Sequence, residues 1–198
     1  MCSVFVKKVL LLATLLIVTT SCQNRFSQVV TFHPRVYFRA IDAQSKNGVK
    51  VVVTDQRLNQ SFIGRRGGIW GGVISGYQDL KQIFQNELST AIRKDGFPTG
   101  SDRIVYVNIL SLTYNTKWGL LSTASVIKCE AEVVIKDNHG AKKHGELYSA
   151  ILEIDHYGGY PLASTNENNI NRTIASLLQQ ILDDGNFLEG LRGLKLSR

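Results

Sequence analysis

The chain has 198 residues, of which 43% are hydrophobic and 20% charged, and its formal net charge is +7 at neutral pH. This composition is typical of a globular protein and excludes a chain that is disordered throughout. The basic residues are scattered among acidic ones, with no run of five or more cations. A nucleic-acid-binding protein usually concentrates its cations in a patch or stripe, so that class of function is disfavoured.

The first 21 residues have the features of a bacterial export signal. Two lysines precede an apolar run at residues 9–18, which is shorter than the roughly 20 residues that a membrane-spanning helix needs. Cys22 then follows a small residue, where a lipoprotein signal is cut and the new N-terminal cysteine is acylated. We predict lipidation of Cys22. A plain secretory signal and an uncleaved anchor stay open as alternatives, because Thr19 stands where Leu, Val or Ile is usual.

Cleavage before Cys22 would leave about 177 residues, a length that suits one domain. The division is then a signal peptide at residues 1–21, a lipidated cysteine and tether at residues 22–45, and one α+β periplasmic domain at residues 46–198. The signal removes two lysines, so 21 basic residues face 16 acidic ones and the net charge becomes +5. Gln23, rather than Asp, directly after the cysteine predicts sorting to the periplasmic side of a Gram-negative outer membrane.

Cysteine usage predicts a fold without a disulfide. Cys2 would leave with the signal and Cys22 would carry lipid, so that Cys129 is the remaining thiol. A single thiol cannot form an intrachain bridge, even in an oxidising compartment. The hydrophobic core must therefore hold the fold.

The first half of the mature chain predicts strands and one helix. A dense run of β-branched residues at 49–54 predicts a strand. Residues 29–41 alternate loosely around Pro34, which predicts an edge strand or a broken one. Residues 78–94 have apolar side chains repeating at three and four, and Asp95-Gly96 follows. This pattern predicts an amphipathic helix that ends at the glycine.

Residues 64–77 contain six glycines. Phosphate-binding loops are glycine-rich, but here no Lys-Ser or Lys-Thr follows and the glycine spacing matches no nucleotide-binding motif. We predict a mobile hairpin or loop. Its apolar tip, which includes Trp70, could contact a membrane or a partner.

The second half predicts three strands, at residues 103–114, 125–137 and 146–156. The first is apolar on both faces in part, which indicates a central position. The connection at residues 116–122 contains Trp118. Residues 125–137 alternate between apolar and charged side chains, which is typical of a sheet with one solvated face.

A final helix is predicted to begin at residues 164–167, whose Ser-Thr-Asn-Glu sequence has the form of a capping box. A short helix could follow at residues 186–194. The predicted order is β-α-β-β-β-α. It indicates an α+β two-layer sandwich, with a mostly antiparallel sheet and two helices on one face.

These elements resemble those of the YajG-type outer-membrane lipoproteins of Gram-negative bacteria. The similarity extends over nearly the whole mature chain, through Asp55-Gln56-Arg57, residues 79–96, the strands from 105 to 154 and the helix start at 166–174. The glycine-rich stretch departs from it. The resemblance implies a lipid-anchored periplasmic α+β domain. The family has no established enzymatic activity, so the resemblance implies no catalytic residues and no cofactor.

The residues offer few candidates for chemistry. His139 and His144 flank a predicted turn near Asp137 and Glu146, but the spacing matches no standard metal site. Cys129 stands in the apolar row of a strand, as a buried small hydrophobe does, and a nucleophile would need an activating base. We therefore predict neither a metal site nor a catalytic cysteine.

Charged pairs on the strands favour structural roles. Glu130 and Glu132 share a strand face with Lys128 and Lys136, which indicates a solvated charge lattice rather than an acid–base pair. Asp55 and Arg57, at the end of a strand, favour an ion pair or a turn over catalysis.

Three functions are weighed. The first is a non-catalytic envelope lipoprotein, held at the membrane by its lipid, that acts as an adaptor or structural subunit of an envelope assembly such as a secretion or transport complex. The second is a periplasmic glycan or small-ligand binder. The third, a hydrolase, lacks a recognisable cluster of catalytic residues. The candidate contact residues for a partner or ligand are four aromatic side chains, Trp70, Trp118, Tyr157 and Tyr160.

Overall fold

The structure, a computed structural model, describes residues 27–37, 45–66, 72–118, 122–157 and 161–193. Within these ranges it contains seven strands: β1 Gln28–Val30, β2 Val49–Asp55, β3 Phe62–Arg65, β4 Val73–Gly76, β5 Arg103–Trp118, β6 Ser122–Asp137 and β7 Lys142–Tyr157. It also contains three helices: α1 Leu80–Lys94, α2 Ala163–Asp183 and α3 Gly185–Arg192. The predicted α+β class is confirmed.

All seven strands belong to one mixed sheet. The three 16-residue strands β5, β6 and β7 form an antiparallel ladder. β2 pairs in parallel with the first half of β5, and β3 reaches the same edge of β5 further along, at Tyr114. β4 pairs antiparallel with β3, and β1 lies parallel to β4 at the end of the sheet. Since β5 has partners along both edges, its predicted central position is confirmed.

A single hydrophobic core lies between the sheet and the helices. α1 packs on β2, α2 packs on β6 and β7, and α3 contacts the same two strands. In β6 the alternate residues from Ile127 to Ile135 are fully buried, whereas Glu132 and Lys136 are exposed. The predicted solvated face of this strand is confirmed.

A β-bulge keeps β5 amphipathic along its whole length. Its pairing with β6 shifts between Ile109 and Ser111, so Leu110 is an extra residue. Ahead of the shift the buried positions are odd-numbered and include Val107; beyond it they are even-numbered and include Leu112. Because one extra residue reverses the alternation, both halves of the strand turn apolar side chains to the core.

The predicted helix ends are confirmed for α1 but not for α2. α1 follows Asp79, whose carboxylate accepts the backbone N–H of Lys81 at 3.0 Å, and Gly96 adopts a φ of 91° just beyond the helix. α2 instead begins at Ala163, after Leu162, with no side-chain cap. The predicted capping box is wrong because Ser164 lies inside the helix rather than at its N-cap. The Glu167 carboxylate accepts the backbone N–H of Thr31, 3.2 Å away, in a tertiary contact.

The predicted element order omits three short strands and the final short helix, and the two-layer sandwich in that order is not confirmed. The short helix predicted separately, at residues 186–194, is present as α3. β3 and β4 have four residues each, too few for a period of two to be recognised. They are the arms of the hairpin predicted for the glycine-rich stretch. The predicted connection at residues 116–122 is also wrong, since β5 extends to Trp118 and β6 begins at Ser122.

The predicted tether at residues 22–45 includes a part of the fold. Val30 is fully buried in the core, Phe32 is 3% exposed, and Val36 packs against the same cluster. Apolar side chains of this kind leave water when the chain folds, so they belong to the domain rather than to a linker. The folded unit therefore begins no later than Gln28.

Candidate functional site

A groove of about 1130 Å³ runs along the outer side of α2. Its floor is α2 itself, between Asn168 and Asp184, one wall is the segment at residues 33–37, and the other wall is β7 between Tyr148 and Leu152. The volume is at or slightly above the range of roughly 300–1,000 Å³ that is usual for ligand sites. We call it the α2 groove.

Side chains of α2 hold the first wall in place. The backbone N–H groups of this extended segment have no partner strand, so polar side chains of the helix accept them instead. The bonds join Thr31 to Glu167 at 3.2 Å, His33 to Asn171 at 2.7 Å, and Tyr37 to Gln179 at 3.2 Å. The Asn171 amide also donates to the Thr31 carbonyl, 2.9 Å away. The polar residues of α2 thus fix the shape of the groove.

The groove carries separated charges and many amide groups. Arg35 and Arg172 line it, both exposed, and neither has an ion-pair partner among the described residues. Two carboxylates, Asp183 and Asp184, lie at the far end of the helix. Amides and guanidinium groups are donors in fixed planar geometries. The lining is therefore suited to recognising a ligand with several oxygen acceptors.

A hydrogen-bonded chain of three side chains ends the groove. The Tyr148 hydroxyl donates to the Asp184 carboxylate, and His144 Nε2 lies 3.0 Å from the same hydroxyl. Since Tyr148 gives its proton to Asp184, His144 must donate through Nε2. Burial, with the Asp184 carboxylate, raises the pKa of Tyr148, and burial lowers the pKa of His144. Tyr148 is thus held as a phenol, which is not a nucleophile.

A second polar network is buried beneath the start of α2. The Tyr114 hydroxyl lies 2.5 Å from Ser125 Oγ and donates to Asn166 Oδ1 at 3.0 Å. His156 Nε2 is 2.9 Å from the same Ser125 oxygen, and Asn166 donates to Gln28 at 3.2 Å. The Ser–His contact resembles that of hydrolases, but Ser125 is fully buried and shares its hydroxyl with Tyr114. A substrate cannot reach it in this conformation.

The only free cysteine among the described residues is equally enclosed. Cys129 has no exposed surface, and burial raises the pKa of its thiol to about 12. The thiolate is the reactive form of cysteine, so this side chain is inert. The prediction of a buried small hydrophobe is confirmed.

Residues 34–192 match the model of a protein family described as "Uncharacterized lipoprotein". The chain belongs to this family. A comparison with curated proteins finds no match. The lipoprotein part of the predicted resemblance is confirmed, while the YajG-type assignment stays a prediction. No helix within the described ranges is long and apolar enough to cross a membrane.

Several solved structures are similar to this lipoprotein. They include a minor lipoprotein from Acinetobacter baumannii, with 13% identity, a TM-score of 0.41, and coverage of 67% of this chain and 88% of the other. A hypothetical protein from Chlamydia trachomatis has 12% identity and a TM-score of 0.42, and the match covers 87% of this chain and 99% of the other. The rare lipoprotein B from Shewanella oneidensis has 10% identity and a TM-score of 0.35, and the match covers 74% of this chain and 95% of the other.

The predicted site residues of this lipoprotein are only partly described. Cys22, Trp70 and Tyr160 lie outside the described residues. Trp118 is the last residue of β5 and Tyr157 the last of β7, at the same end of the sheet, because Trp118 pairs with Thr123 and Tyr157 with Ser122. The role of the aromatic residues in contacts, and the lipidation of Cys22, stay predictions.

The residues considered for a metal site are separated. His144 is buried against Tyr148, whereas His139 is exposed at the turn, where its backbone N–H donates to Asp137 at 3.0 Å. Hydrogen bonds from Lys143 and the backbone of Ala141 lower the pKa of Asp137 to about 2. No group of three or more potential ligands (His, Cys, Asp or Glu) is found within the described ranges.

The charged pairs have the structural roles predicted for them. Arg57 and Asp55 form an ion pair of 2.7 Å, in which each side chain is 5% exposed. Glu130 accepts from Lys128 at 2.8 Å and from Ser111 at 2.9 Å on the solvated face of the sheet. Neither pair lines the groove.

Sequence reasoning did not find the α2 groove. Its lining comes from three segments of the chain, and the segment at residues 33–37 is more than 100 positions from the other two. One signal was present in the sequence: Asn, Arg and Gln recur along α2 beside the apolar stripe from Ile170 to Leu182. On an ordinary surface helix they would be read as solvated positions.

Proposed function

We propose that this lipoprotein is a non-catalytic, lipid-anchored protein of the cell envelope that binds an extended segment of a partner protein in the α2 groove. Acylation of Cys22 would hold it on the periplasmic side of the outer membrane, as an adaptor in a larger assembly. Family membership, the export signal and Gln23 support the anchoring. Two or more acyl chains are enough for stable attachment to a bilayer.

The α2 groove is the observation that carries this proposal. It is open, and its lining is rich in amides, hydroxyls and guanidinium groups. The groups that could start a reaction are withdrawn from solvent instead: Cys129 and Ser125 are fully buried, and Tyr148 donates to Asp184. The exposed Ser176 hydroxyl in the lining has no hydrogen bond from a base among the described residues. A surface that offers hydrogen bonds without an activated nucleophile supports recognition rather than turnover.

An extended acidic segment fits the chemistry of the groove. Arg35 and Arg172 lack ion-pair partners among the described residues, and an arginine binds a carboxylate through two parallel hydrogen bonds. The side-chain amides of Asn168 and Gln180 can pair with the C=O and N–H groups of a peptide backbone. Polar side chains of α2 already bind one segment of this chain in this manner, residues 31–37, which forms a wall of the groove.

Site-specific photo-crosslinking tests the proposed binding. A photoreactive amino acid at Ser176, on the groove floor, should form an adduct with one envelope protein in intact cells. Arg172→Glu should weaken binding of that protein's crosslinked segment by about tenfold or more, since it places a like charge against the acidic segment. Lys81→Glu, an exposed charge reversal on α1, is the matched control. Equal affinities for the two variants would contradict the proposal.

The lipid anchor has a separate test. Cells grown with labelled palmitate should incorporate the label into the wild-type chain, which should fractionate with the outer membrane. Cys22→Ala should remove both the label and the membrane attachment. Labelling that persists in Cys22→Ala would show that the acyl chain is elsewhere.

Tyr37 supports a second candidate, a glycan ligand. It lines the groove and is 81% exposed, and an exposed aromatic ring beside amides is suited to stacking on a sugar. Sedimentation with purified peptidoglycan tests this candidate. Tyr37→Ala should remain in the supernatant, whereas Tyr77→Ala, which alters a side chain 84% exposed outside the groove, should sediment. Failure of the wild-type chain to sediment would eliminate this candidate.

A further inference from the structure

The free edge of β7 is a long unpaired strand edge. Within the described ranges β7 pairs with β6 alone and lies at the end of the sheet. It has 16 residues, whereas β1, at the opposite end, has three. Such an edge presents a row of unpaired N–H and C=O groups, which is a template for another strand.

The middle of this edge lacks the charges that usually prevent pairing. Lys142 and Lys143 lie near the start of β7 and Asp155 near its end, but the six residues 147–152 are uncharged. On the face turned away from the helices, Leu147 is 58% exposed and Ile151 is 64% exposed. Two large apolar side chains thus stand in water beside a strand edge that no described part of the chain covers.

Antiparallel pairing of two identical strands fixes the possible registers. The two-fold axis must be perpendicular to the sheet, so residues that share a face come opposite one another. With Ser149 on the axis, Leu147 of each copy faces Ile151 of the other. With Tyr148 on the axis, Leu147 would face Ser149, and with Ala150 there it would face Glu153. Of these three registers, the one centred on Ser149 joins both exposed apolar residues.

We propose that two copies of the chain form a symmetric dimer through their β7 edges, with Ser149 on the two-fold axis. Two Leu147–Ile151 pairs then cover each other on the open face of the sheet. The same register places Lys142 opposite Asp155 at both ends, because Lys143 is the extra residue of a β-bulge in β7. Neither Lys142 nor Asp155 has an ion-pair partner among the described residues. Charge complementarity therefore supports a second copy as the occupant.

The dimer changes the shape of the surface around the axis. The two sheets become one continuous sheet, and the helices of both copies lie on the same side of it. Because each α2 groove follows a β7 edge, the two grooves face each other across the axis and form one symmetric cleft. The pairing uses the backbone edge of β7, whose residues 148–152 also form one wall of the α2 groove. It follows from the strand edge and does not require the function proposed for the groove.

Disulfide trapping tests the register directly. In the full-length chain in mild detergent, Ser149→Cys should form a crosslinked dimer on mild oxidation. Residues opposed in an antiparallel ladder have Cα atoms about 4.5–5.5 Å apart, within the range of disulfides. Glu153→Cys is the matched control on the same strand and face. Its two copies would be roughly 26 Å apart, at about 3.3 Å per residue. The wild-type chain, oxidised in the same way, is the control for any crosslink that forms through the native cysteines.

A second variant tests the apolar contact. Ile151→Lys places an ammonium against Leu147 twice in the dimer and should raise the dissociation constant at least about tenfold, as measured by light scattering. Val29→Lys, at an apolar residue 58% exposed on β1, should leave the dissociation constant of the dimer unchanged. A wild-type chain that stays monomeric at high concentration would overturn the proposal. So would equal crosslinking at positions 149 and 153, or trapping of an unrelated protein alone at position 149.

Discussion

At the scale of single residues, His144 shows how burial determines the state of a side chain. Its ring is 6% exposed and packs edge-on against Phe187, with ring centroids 6.0 Å apart. The Asp184 carboxylate, 3.9 Å from Nε2, would favour a protonated ring, but loss of hydration outweighs it and the pKa of His144 falls. His144 is therefore a neutral donor to Tyr148.

The lowered pKa of His144 predicts acid destabilisation. The unfolded chain takes up a proton as the pH falls below the ordinary histidine value of 6.5, while the folded chain resists it. The stability that the neutral ring contributes is present above that pH and is lost as the pH falls through the folded pKa. Burial lowers the pKa of His156 too, so this residue adds to the loss of folding stability as the pH falls.

Thermal melts between about pH 5 and 8 test this linkage. His144→Gln keeps an N–H donor for Tyr148 and removes the titration, so the fall in Tm toward low pH should be smaller than in the wild type. His139→Gln alters an exposed histidine at a turn and should retain the wild-type slope. If Tm fell equally steeply with decreasing pH in all three proteins, His144 would not be the cause of the acid destabilisation.

At the scale of elements, one glycine allows β3 to join the sheet. A Cβ at Gly64 would lie 2.0 Å from the carbonyl oxygen of Tyr114 and 2.8 Å from its carbon. These are backbone atoms of the central strand β5 and cannot move aside as a flexible side chain could. The hairpin therefore depends on the absence of a side chain at this position.

Gly64→Ala should separate β3 from β5 and destabilise the protein by about 2 kcal/mol or more. Gly185→Ala is the opposite case: it lies at the start of α3, with no atom within 4 Å of the added Cβ. It should stabilise the protein by about 0.5 kcal/mol, since alanine loses less entropy than glycine on forming a helix. Urea unfolding of both variants measures the difference. A Gly64→Ala midpoint equal to that of the wild type would contradict the close approach.

The elements that sequence predicted are those whose own pattern specifies them. β2 and β6 are long enough for β-branched runs or alternation to show, and the stripe in α2 repeats over several turns. The short strands β1, β3 and β4 follow instead from pairing with residues distant in sequence. The bulge at Leu110 prevented a single alternating pattern from being recognised in β5. Buried and exposed side chains alternate in each half of the strand, but the two halves are out of phase by one residue. The α2 groove could not be predicted for the same reason, since His33 meets Asn171 only after folding.

At the scale of the whole molecule, the folded unit includes the segment that follows the proposed lipid anchor at Cys22. Phe32→Ala should cost about 3–5 kcal/mol, the usual loss for a buried phenylalanine. Val29→Ala, at the middle residue of β1, which is 58% exposed, should change stability by less than about 0.5 kcal/mol. Urea titration of the full-length variants separates the two cases. If residues 28–36 were a flexible tether, both substitutions would be neutral.

The docking of this segment on α2 also determines how far the folded domain can extend from the bilayer. With Cys22 acylated as proposed, six peptide units separate the lipid from Gln28, a reach of at most about 20 Å. Were the chain free up to β2, the reach would be about 90 Å. The volume that the domain sweeps above the bilayer is thus smaller on the order of 100-fold, since volume scales with the cube of reach. A partner confined to the same membrane meets the groove at a correspondingly higher local concentration.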